Sequence, residues 1–378
     1  MIIAITKELN QGETRVAATP ATVKEFIKAG LKVRVESGAG NGAFFRDNDY
    51  KESGAEIVAD AESLLSDADI VLKVASPTLE EIDQIKKDAI TVSFFQPTIE
   101  VLKVKALAEK SITGFSMHLI PRTTLAQKMD ALSSQANISG YKAVLMGATH
   151  ISVYMPLLMT AAGTIRPARV LVLGAGVAGL QAIATAKRLG AQVETFDVRP
   201  EVKEQVESLG AKFIEVESDS DEGVGEGGYA KETSEEYKNK QETLIREHIA
   251  LADMVVTTAL IPGKPAPLLI SKDVVEIMKP GSVIMDLAAE NGGNCELTVK
   301  DQIIEHNQVT IDGTSNIPAT MPVHASELYS KNIAAFLIYI IQDGKLNLDL
   351  EDEIIADSMF THGGEITHEP TKTAIKDI

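Results

Sequence analysis

The chain has 378 residues, 44% of them hydrophobic, which is enough to bury a sizeable core and long enough for two or three domains. Its 54 acidic and 36 basic residues give a formal net charge of −18. Because such a surface is repelled by nucleic-acid phosphates and anionic lipid, we expect no nucleic-acid partner.

The sequence also bears on the cellular compartment and on membranes. The single cysteine, Cys295, excludes a disulfide framework within one chain and suits a reducing compartment. The N-terminal apolar run follows no basic region and is too short for a signal peptide, and the apolar run at 333–341 is about half a membrane span. We therefore expect no direct insertion into a bilayer.

In the first half of the chain, apolar strands alternate with helical segments. A helix is predicted at 21–29, where Thr19-Pro20 supplies a cap and a first-turn proline. The apolar runs predict strands at 2–6, 32–36, 70–74, 90–95 and 112–116. This alternation is typical of a mostly parallel sheet.

A polar segment at 117–135 lies between the last of these strands and a helical connection predicted at about 134–161. Its side chains Arg122, Gln127, Asp130 and Ser133 offer hydrogen-bond donors and acceptors that can orient a ring bearing a carboxamide. The alternative is an ordinary strand-to-helix loop in which Asp130 or Ser133 caps the helix. The spacing alone does not decide between them.

The stretch from Val170 to Asp197 is the most specific motif in the chain. An apolar strand leads into Gly174, Gly176 and Gly179, a small-residue helix follows, and a second strand ends at Asp197. Gly174 permits a tight turn, Gly176 lets the backbone approach a pyrophosphate, and Gly179 lets helix and strand pack closely. A carboxylate 18 residues beyond Gly179 accepts hydrogen bonds from ribose hydroxyls and repels a 2′-phosphate. The motif predicts binding of NAD(H) rather than NADP(H).

The second half of the chain repeats the strand–helix alternation. Strands are predicted near Val170, Val193, Phe213, Met254, Val283 and Val309. A long helix at 325–342 is suited to return onto the first half. We therefore predict an α/β protein of two Rossmann-like domains with mostly parallel sheets and a nucleotide cleft between them. The first is discontinuous, at 1–133 and 323–378, and the second, at 134–322, includes the linking helix.

Several stretches together resemble one known family. They are Lys7-Glu8 with 12–17, Arg122 to Gln135, Gly174 to Arg199, 227–232, 258–267 and 286–293. The chain is similar, along essentially its whole length, to the NAD(H)-binding component, domain I, of proton-translocating NAD(P) transhydrogenase. Lys128 is a departure, since a small residue is expected at that position of the loop.

The resemblance assigns roles to individual residues. It implies that Arg122, Gln127, Asp130 and Ser133 hold the nicotinamide, with Thr123, Thr124 and Leu125 of the same loop contacting the cofactor. It places Gly228 and Tyr229 in a mobile loop that closes on bound nucleotide. The remaining implied contacts to NAD, beside the three glycines of the turn, are Val177, Asp197, Val198, Arg199, Gln241 and Leu260.

The resemblance also implies a mechanism and partners. Hydride would pass directly from NADH on this chain to NADP⁺ on a partner domain, without a metal ion. The sequence shows no second dinucleotide motif with a basic 2′-phosphate site, so the NADP(H)-binding domain and the transmembrane proton-channel domain would be other polypeptides. The family further implies a homodimer, held at the cytoplasmic side of the inner membrane through its partners.

Two alternatives belong to other functional classes. Alanine dehydrogenase shares the motifs around Lys7, Arg15, Lys73 and Gly174. The cationic side chains of Arg15 and Lys73 suggest a site for a substrate carboxylate. That enzyme needs a titratable group, and this chain has Gln96 where the dehydrogenase places its histidine. Glu290 also replaces an expected aspartate. A non-catalytic NAD(H)-sensing module is the other alternative, although a sensor would not need the four polar residues of the loop.

Overall fold

The structure, a computed structural model, describes residues 1–216, 235–261, 264–342 and 344–376. The strands are β1 Ile2–Ile5, β2 Lys32–Glu36, β3 Glu56–Val58, β4 Ile70–Leu72, β5 Ile90–Ser93, β6 Thr113–Ser116, β7 Leu158–Thr160, β8 Gly163–Ile165, β9 Arg169–Leu173, β10 Gln192–Phe196, β11 Lys212–Phe213, β12 Met254–Thr257, β13 Val283–Asp286, β14 Ile303–His306, β15 Val309–Asp312, β16 Ile341–Gln342, β17 Lys345–Leu346, β18 Met359–His362 and β19 Glu365–Ile366.

The helices separate these strands along the chain. They are α1 Pro20–Lys28, α2 Asp47–Glu52, α3 Ala61–Asp67, α4 Leu79–Gln84, α5 Val101–Glu109, α6 Ala131–His150, α7 Val177–Arg188, α8 Lys203–Ser208, α9 Glu235–Leu251, α10 Lys272–Glu276, α11 Pro322–Ile340, α12 Glu353–Ser358 and α13 Glu369–Lys376. Two compact units result: unit 1 comprises Met1–Gln135 with Pro318–Ile378, and unit 2 comprises Ala136–Ile317.

Unit 1 is built on an eight-stranded sheet in the order β19-β18-β6-β5-β4-β1-β2-β3. The six strands β1 to β6 pair in parallel, and β18 and β19 add an antiparallel edge. Ile3 and Ile5 face one apolar core while Ala4 faces the other, as the alternation along a strand requires. The predicted mostly parallel α/β fold is confirmed for this unit.

Helix α1 begins where the sequence predicts. Thr19 and Thr22 form a reciprocal capping box, and Pro20 occupies the first helical position, where no N–H is needed. Strand β3 escaped prediction because it has three residues at the sheet edge, none of them fully buried, so its apolar pattern is too short to recognise.

Unit 2 contains a seven-stranded sheet in the order β11-β10-β9-β12-β13-β15-β14, parallel except for β14. Strand β9 pairs with β10 on one side and with β12 on the other, so the chain order reverses there. In sheets of this class a ligand binds beside the carboxyl ends of the strands at such a reversal. The glycine motif follows β9, which puts it at that position.

The helical connection predicted at 134–161 is wrong beyond residue 150. Helix α6 ends at His150, and the chain then forms the antiparallel hairpin of β7 and β8. Pro156 cannot continue a helix because it has no N–H, and Gly163, with φ of 134°, turns the hairpin. The helix prediction beyond residue 150 rests on apolar composition alone, which does not distinguish a helix from a hairpin.

Unit 1 buries a cluster of charged side chains at the carboxyl ends of β1 and β4. The ammonium of Lys73, only 2% exposed, donates to Glu81 at 2.8 Å, to the hydroxyl of Thr6 at 3.2 Å and to the carbonyl of Lys7 at 3.0 Å. A second carboxylate, Glu8, lies 3.9 Å from the same nitrogen. Two buried acidic side chains therefore lie beside one cation.

Burial raises the pKa of Glu8 to about 7, above its ordinary value of 4.5. The charge of Lys73 and the backbone N–H groups of Val74 and Ala75 act in the opposite direction, but they do not offset the lost hydration. The native chain therefore holds a proton on Glu8 at a pH where the unfolded chain has released it.

This proton makes stability depend on pH with a defined sign. Since the pKa is raised in the native state, the contribution of Glu8 is fully present below about pH 4.5 and is lost as the pH rises through about 7. Glu8→Gln cannot ionise. We expect its free energy of unfolding, relative to the parent chain, to rise by about 3 kcal/mol across that range, at about 1.4 kcal/mol per pKa unit.

Urea unfolding at a series of pH values measures this difference. The matched control is Glu25→Gln, which changes an exposed glutamate on α1 and should give a difference that does not vary with pH. A pH-independent difference for Glu8→Gln as well would contradict the assignment of a native-state proton to Glu8.

Candidate functional site

The turn between β9 and α7 requires glycine at two positions. Gly174 has a φ of 102°, and a Cβ on it would lie 2.5 Å from the hydroxyl of Thr258. A Cβ on Gly179 would lie 1.9 Å from the carbonyl oxygen of Gly174, so any side chain there would clash with the backbone. Helix α7 therefore sits directly against the turn it follows.

The third glycine leaves the turn open on its outer side. A Cβ on Gly176 would meet no atom within 4 Å, and no side chain of the described residues caps the N-terminus of α7. The N–H groups of the first turn are therefore available to an anion, and the helix dipole favours one. The open backbone and the uncapped twelve-residue helix fit the pyrophosphate of a dinucleotide.

Neighbouring elements hold this turn in place. The hydroxyl of Thr258 donates to the carbonyl of Gly174 at 3.1 Å, so the residue after β12 is tied to the turn. Helix α6 packs against the start of α7 so closely that a Cβ on Gly140 would lie 2.0 Å from the carbonyl oxygen of Ala178. The turn is thus fixed from both sides within unit 2.

Asp286 has a structural role that the sequence analysis did not predict. Its buried carboxylate accepts hydrogen bonds from the hydroxyls of Thr257 and Thr298 and from the backbone N–H groups of Ala288, Asn294 and Cys295. Asn294 in turn bonds both backbone groups of Ala259. The network fixes the loop after β12. The buried apolar strand that ends at Asp286 was the available signal.

Cys295 is a free cysteine buried in the core of unit 2. Burial raises the pKa of its thiol to about 11, so at neutral pH the side chain stays a thiol rather than a nucleophilic thiolate.

Asp197 lies directly after β10, beside the glycine turn. It accepts a hydrogen bond from the backbone N–H of Ala175 at 2.6 Å, and the guanidinium of Arg199 donates to both of its oxygens. Burial acts to raise the pKa of Asp197, but these donors outweigh it and hold the pKa below its usual range. The group is therefore a carboxylate at neutral pH, as recognition of ribose hydroxyls requires.

The other positions implied for the cofactor differ in their surroundings. Val177, Val198 and Leu260 are exposed apolar side chains, and each follows directly after a strand or its turn at the carboxyl edge of the unit 2 sheet. Gln241 is half-buried on α9. Gly228 and Tyr229 lie outside the described residues.

The polar loop of unit 1 is anchored by its apolar residues and presents its polar ones. Ala126 and Met129 are buried in the core of unit 1, and Asn332 of α11 donates to the carbonyl of Lys128 at 2.9 Å. Arg122 and Gln127 are exposed. Gln127 lies on a short 3₁₀ helix, Leu125–Met129, and Arg122, Thr123 and Thr124 precede that helix.

Asp130 and Ser133 have the structural role that the sequence left open. The carboxylate of Asp130 accepts from the backbone N–H of Ser133 at 2.8 Å and from its hydroxyl at 2.6 Å, which is the bonding of a helix cap on α6. Capping does not exclude a second role, because a carboxylate has further acceptor positions. Arg122 and Gln127 make no hydrogen bond through their side chains to any residue that the structure describes.

The two cations that suggested a carboxylate site are engaged by the chain itself. Arg15 donates to both oxygens of Glu13, and it also donates to Gln135 at 2.9 Å. Lys73 lies in the buried cluster with Glu8 and Glu81. Both cations are thus part of the framework of unit 1.

The described part of the chain contains neither a candidate metal site nor a candidate membrane span. There, no three His, Cys, Asp or Glu side chains are grouped so as to hold a metal ion. No helix within those same ranges is both long enough and apolar enough to cross a membrane.

Two family models match the chain and together cover most of it. Residues 4–139 match the model for the N-terminal domain of alanine dehydrogenase/PNT, and residues 143–369 match the model for the C-terminal domain. These models do not by themselves separate dehydrogenases from transhydrogenases.

Individual relatives make that distinction. The first part of the alpha subunit of NAD(P) transhydrogenase from Rhodospirillum rubrum is 46% identical, over 97% of this chain and 98% of that protein. Alanine dehydrogenase from Methanococcus maripaludis is 28% identical, over 99% of this chain and 96% of that protein. A solved transhydrogenase structure from Sinorhizobium meliloti is 41% identical with a TM-score of 0.86, over 97% of this chain and 99% of that one. The chain therefore belongs to the alanine dehydrogenase/PNT family and, within it, to the NAD(P) transhydrogenase alpha subunits.

Proposed function

We propose that this chain is the NAD(H)-binding subunit of a proton-translocating NAD(P) transhydrogenase. The observation that carries the proposal is the open glycine turn at Gly176, with the ionised carboxylate of Asp197 beside it. This pair suits a dinucleotide without a 2′-phosphate, and the relatives supply the reaction class. The runner-up functions remain alanine dehydrogenase and a non-catalytic sensor.

The two units have separate roles in the proposal. In unit 2, the N–H groups after Gly176 bind the pyrophosphate, Asp197 accepts the ribose hydroxyls, and Val177, Val198 and Leu260 give apolar contact to the adenosine end. Gln241, together with Gly228 and Tyr229 of the loop outside the described residues, completes the nucleotide contacts.

In unit 1, the loop orients the reactive end. Arg122 and Gln127 have side chains that are exposed and unpaired within the described ranges, so they are available to bond a carboxamide. Asp130 and Ser133 hold the loop at the start of α6 and complete the donor and acceptor set. NADH supplies the hydride, and the contribution of the chain is orientation and exclusion of water.

The proposal assigns the rest of the reaction to partners. NADP(H) binds to a separate domain, and the proton path lies in a transmembrane domain on other chains, which would hold this subunit at the cytoplasmic side of the inner membrane. Exposed Lys128 stands in the loop nearest the proposed chemistry, where it is positioned to affect docking of the partner.

A homodimer is the proposed assembly of this subunit. The hairpin of β7 and β8 has little buried surface, and its Met159 is 73% exposed. A two-stranded hairpin is marginally stable alone, and Tyr154 and Leu157 just before it are also exposed. A second copy of the chain is the partner that would cover these apolar side chains.

Cofactor choice tests the role of Asp197. We expect NADH to bind at least about tenfold more tightly than NADPH, because the carboxylate accepts the ribose hydroxyls and repels a 2′-phosphate. Asp197→Ala should weaken the binding of NADH and narrow the difference between the affinities for NADH and NADPH. Fluorescence titration of both nucleotides measures this, and equal affinities in the parent chain would remove the proposed selectivity.

Substrate oxidation separates the transhydrogenase from the dehydrogenase. The amide of Gln96 is no acid or base, so the purified chain with NAD⁺ and L-alanine should form no NADH above background, as followed by absorbance. Turnover of about one per second, within the ordinary range of enzymes, would favour alanine dehydrogenase instead.

The loop should control rate more than affinity. Gln127→Asn keeps the amide but shortens its reach, so hydride transfer in a complex with a transhydrogenase NADP-binding domain should slow by about tenfold or more. Equilibrium binding of NADH should change much less, because the contacts of unit 2 remain. Stopped-flow measurement with an NADP analogue reports the rate.

The matched control is Gln205→Asn, which makes the same change at an exposed position on α8. It should leave both quantities unaltered. A loss of rate in Gln127→Asn that weaker NADH binding explains completely would exclude the loop from orientation of the nicotinamide. A sensor would show NADH binding but no hydride transfer with any such partner domain.

A further inference from the structure

Arg199 occupies the acceptor positions of Asp197 that a ribose would need. One carboxylate oxygen accepts from the backbone N–H of Arg199 at 2.8 Å and from its Nε at 3.0 Å. The other accepts from the backbone N–H of Ala175 at 2.6 Å and from Nη2 of Arg199 at 2.9 Å. A carboxylate has about four acceptor positions, so these donors saturate it.

Only one of the donor groups can leave without disturbing the fold. The two backbone N–H groups belong to the glycine turn and to the chain just after β10, and both positions are fixed by the sheet. The guanidinium is different, because the side chain of Arg199 is 48% exposed while that of Asp197 is 5% exposed. Because it is half-exposed, the guanidinium can be displaced into water by a ligand, and breaking its bidentate pair with Asp197 opposes that displacement.

The ion pair also changes the charge that a nucleotide meets. A bare carboxylate repels a 2′-phosphate, whereas a carboxylate paired with a guanidinium does so much less. Once displaced from Asp197, the guanidinium of Arg199 is a planar fork that suits a phosphate bidentately. The charge of Glu201 also acts on Arg199. Arg199 can therefore favour a phosphorylated ribose over a plain one.

We propose that Arg199 sets nucleotide specificity by competing with the ribose for Asp197. In this role it lowers the affinity for NADH and retains some affinity for NADPH, so it opposes the selectivity of the carboxylate. The proposal rests on the proposed function, in that unit 2 is taken to bind NAD(H). It differs from a simple contact role, in which Arg199 would only strengthen nucleotide binding.

Arg199→Gln in the full chain tests this directly. Titration should show NADPH weakened by about tenfold or more, while NADH binds as tightly as in the parent chain or more tightly. The ratio of the two dissociation constants should therefore widen about tenfold. Arg199→Lys keeps the charge without the fork and should give an intermediate ratio.

Two controls make the result decisive. Arg246→Gln removes a surface arginine paired with Asp273 in the same unit, and it should leave the ratio unchanged. Titration of the Asp197 carboxyl by NMR should show its pKa raised in Arg199→Gln, because the guanidinium that lowers it is gone. Retained binding of NADH by Arg199→Gln shows that the variant is folded around the site.

Three outcomes would overturn the proposal. Equal weakening of NADH binding and NADPH binding would make Arg199 an ordinary contact to both nucleotides. Weakening of NADH binding alone would reverse the proposed role. Unchanged affinities for both nucleotides would show that Arg199 has no part in specificity. Failure of the parent chain to bind NADH would instead overturn the proposed function. The two hypotheses therefore fail on different measurements.

Discussion

The close approach of α7 to the end of β9 is the constraint on which the rest of the site depends. No Cβ fits on Gly179, because it would overlap the carbonyl oxygen of Gly174. This contact aims the first turn of α7 past Gly176 and brings the N–H of Ala175 to the carboxylate of Asp197. Because Gly174 and Gly179 have no side chains, the backbone fixes the anion position and the ribose position relative to each other.

Around this contact, unit 2 uses its buried polar groups for structure and leaves few for a ligand. Asp286 is saturated by hydroxyl and backbone donors, and Asn294 ties the loop after β12. Unit 1 does the same with charge, since Lys73 and Arg15 are held by carboxylates of their own chain. In both units the groups that remain exposed, such as Arg122 and Gln127, are the better candidates for chemistry.

The sequence predicted the fold well wherever an element was long or carried a cap. The helix after Thr19-Pro20, strand β2 and the strands that enter the glycine motif follow from period and capping alone. Prediction failed where local pattern is ambiguous. The apolar composition after residue 150 does not separate a helix from a hairpin, and Pro156 is the signal there against a helix. The three residues of β3 are too few to show a period.

For the site, the sequence by itself determined the residue types and their spacing: three glycines, a carboxylate at the end of the next strand and a polar loop before α6. Those features depend on backbone sterics and on chain-local distances, which a sequence contains. Only the tertiary structure decided the state of each group. It engages Asp130 in a helix cap, buries Glu8 beside Lys73 and saturates Asp197 with Arg199. Hydrogen-bond partners and burial arise from packing, and packing is not encoded in spacing alone.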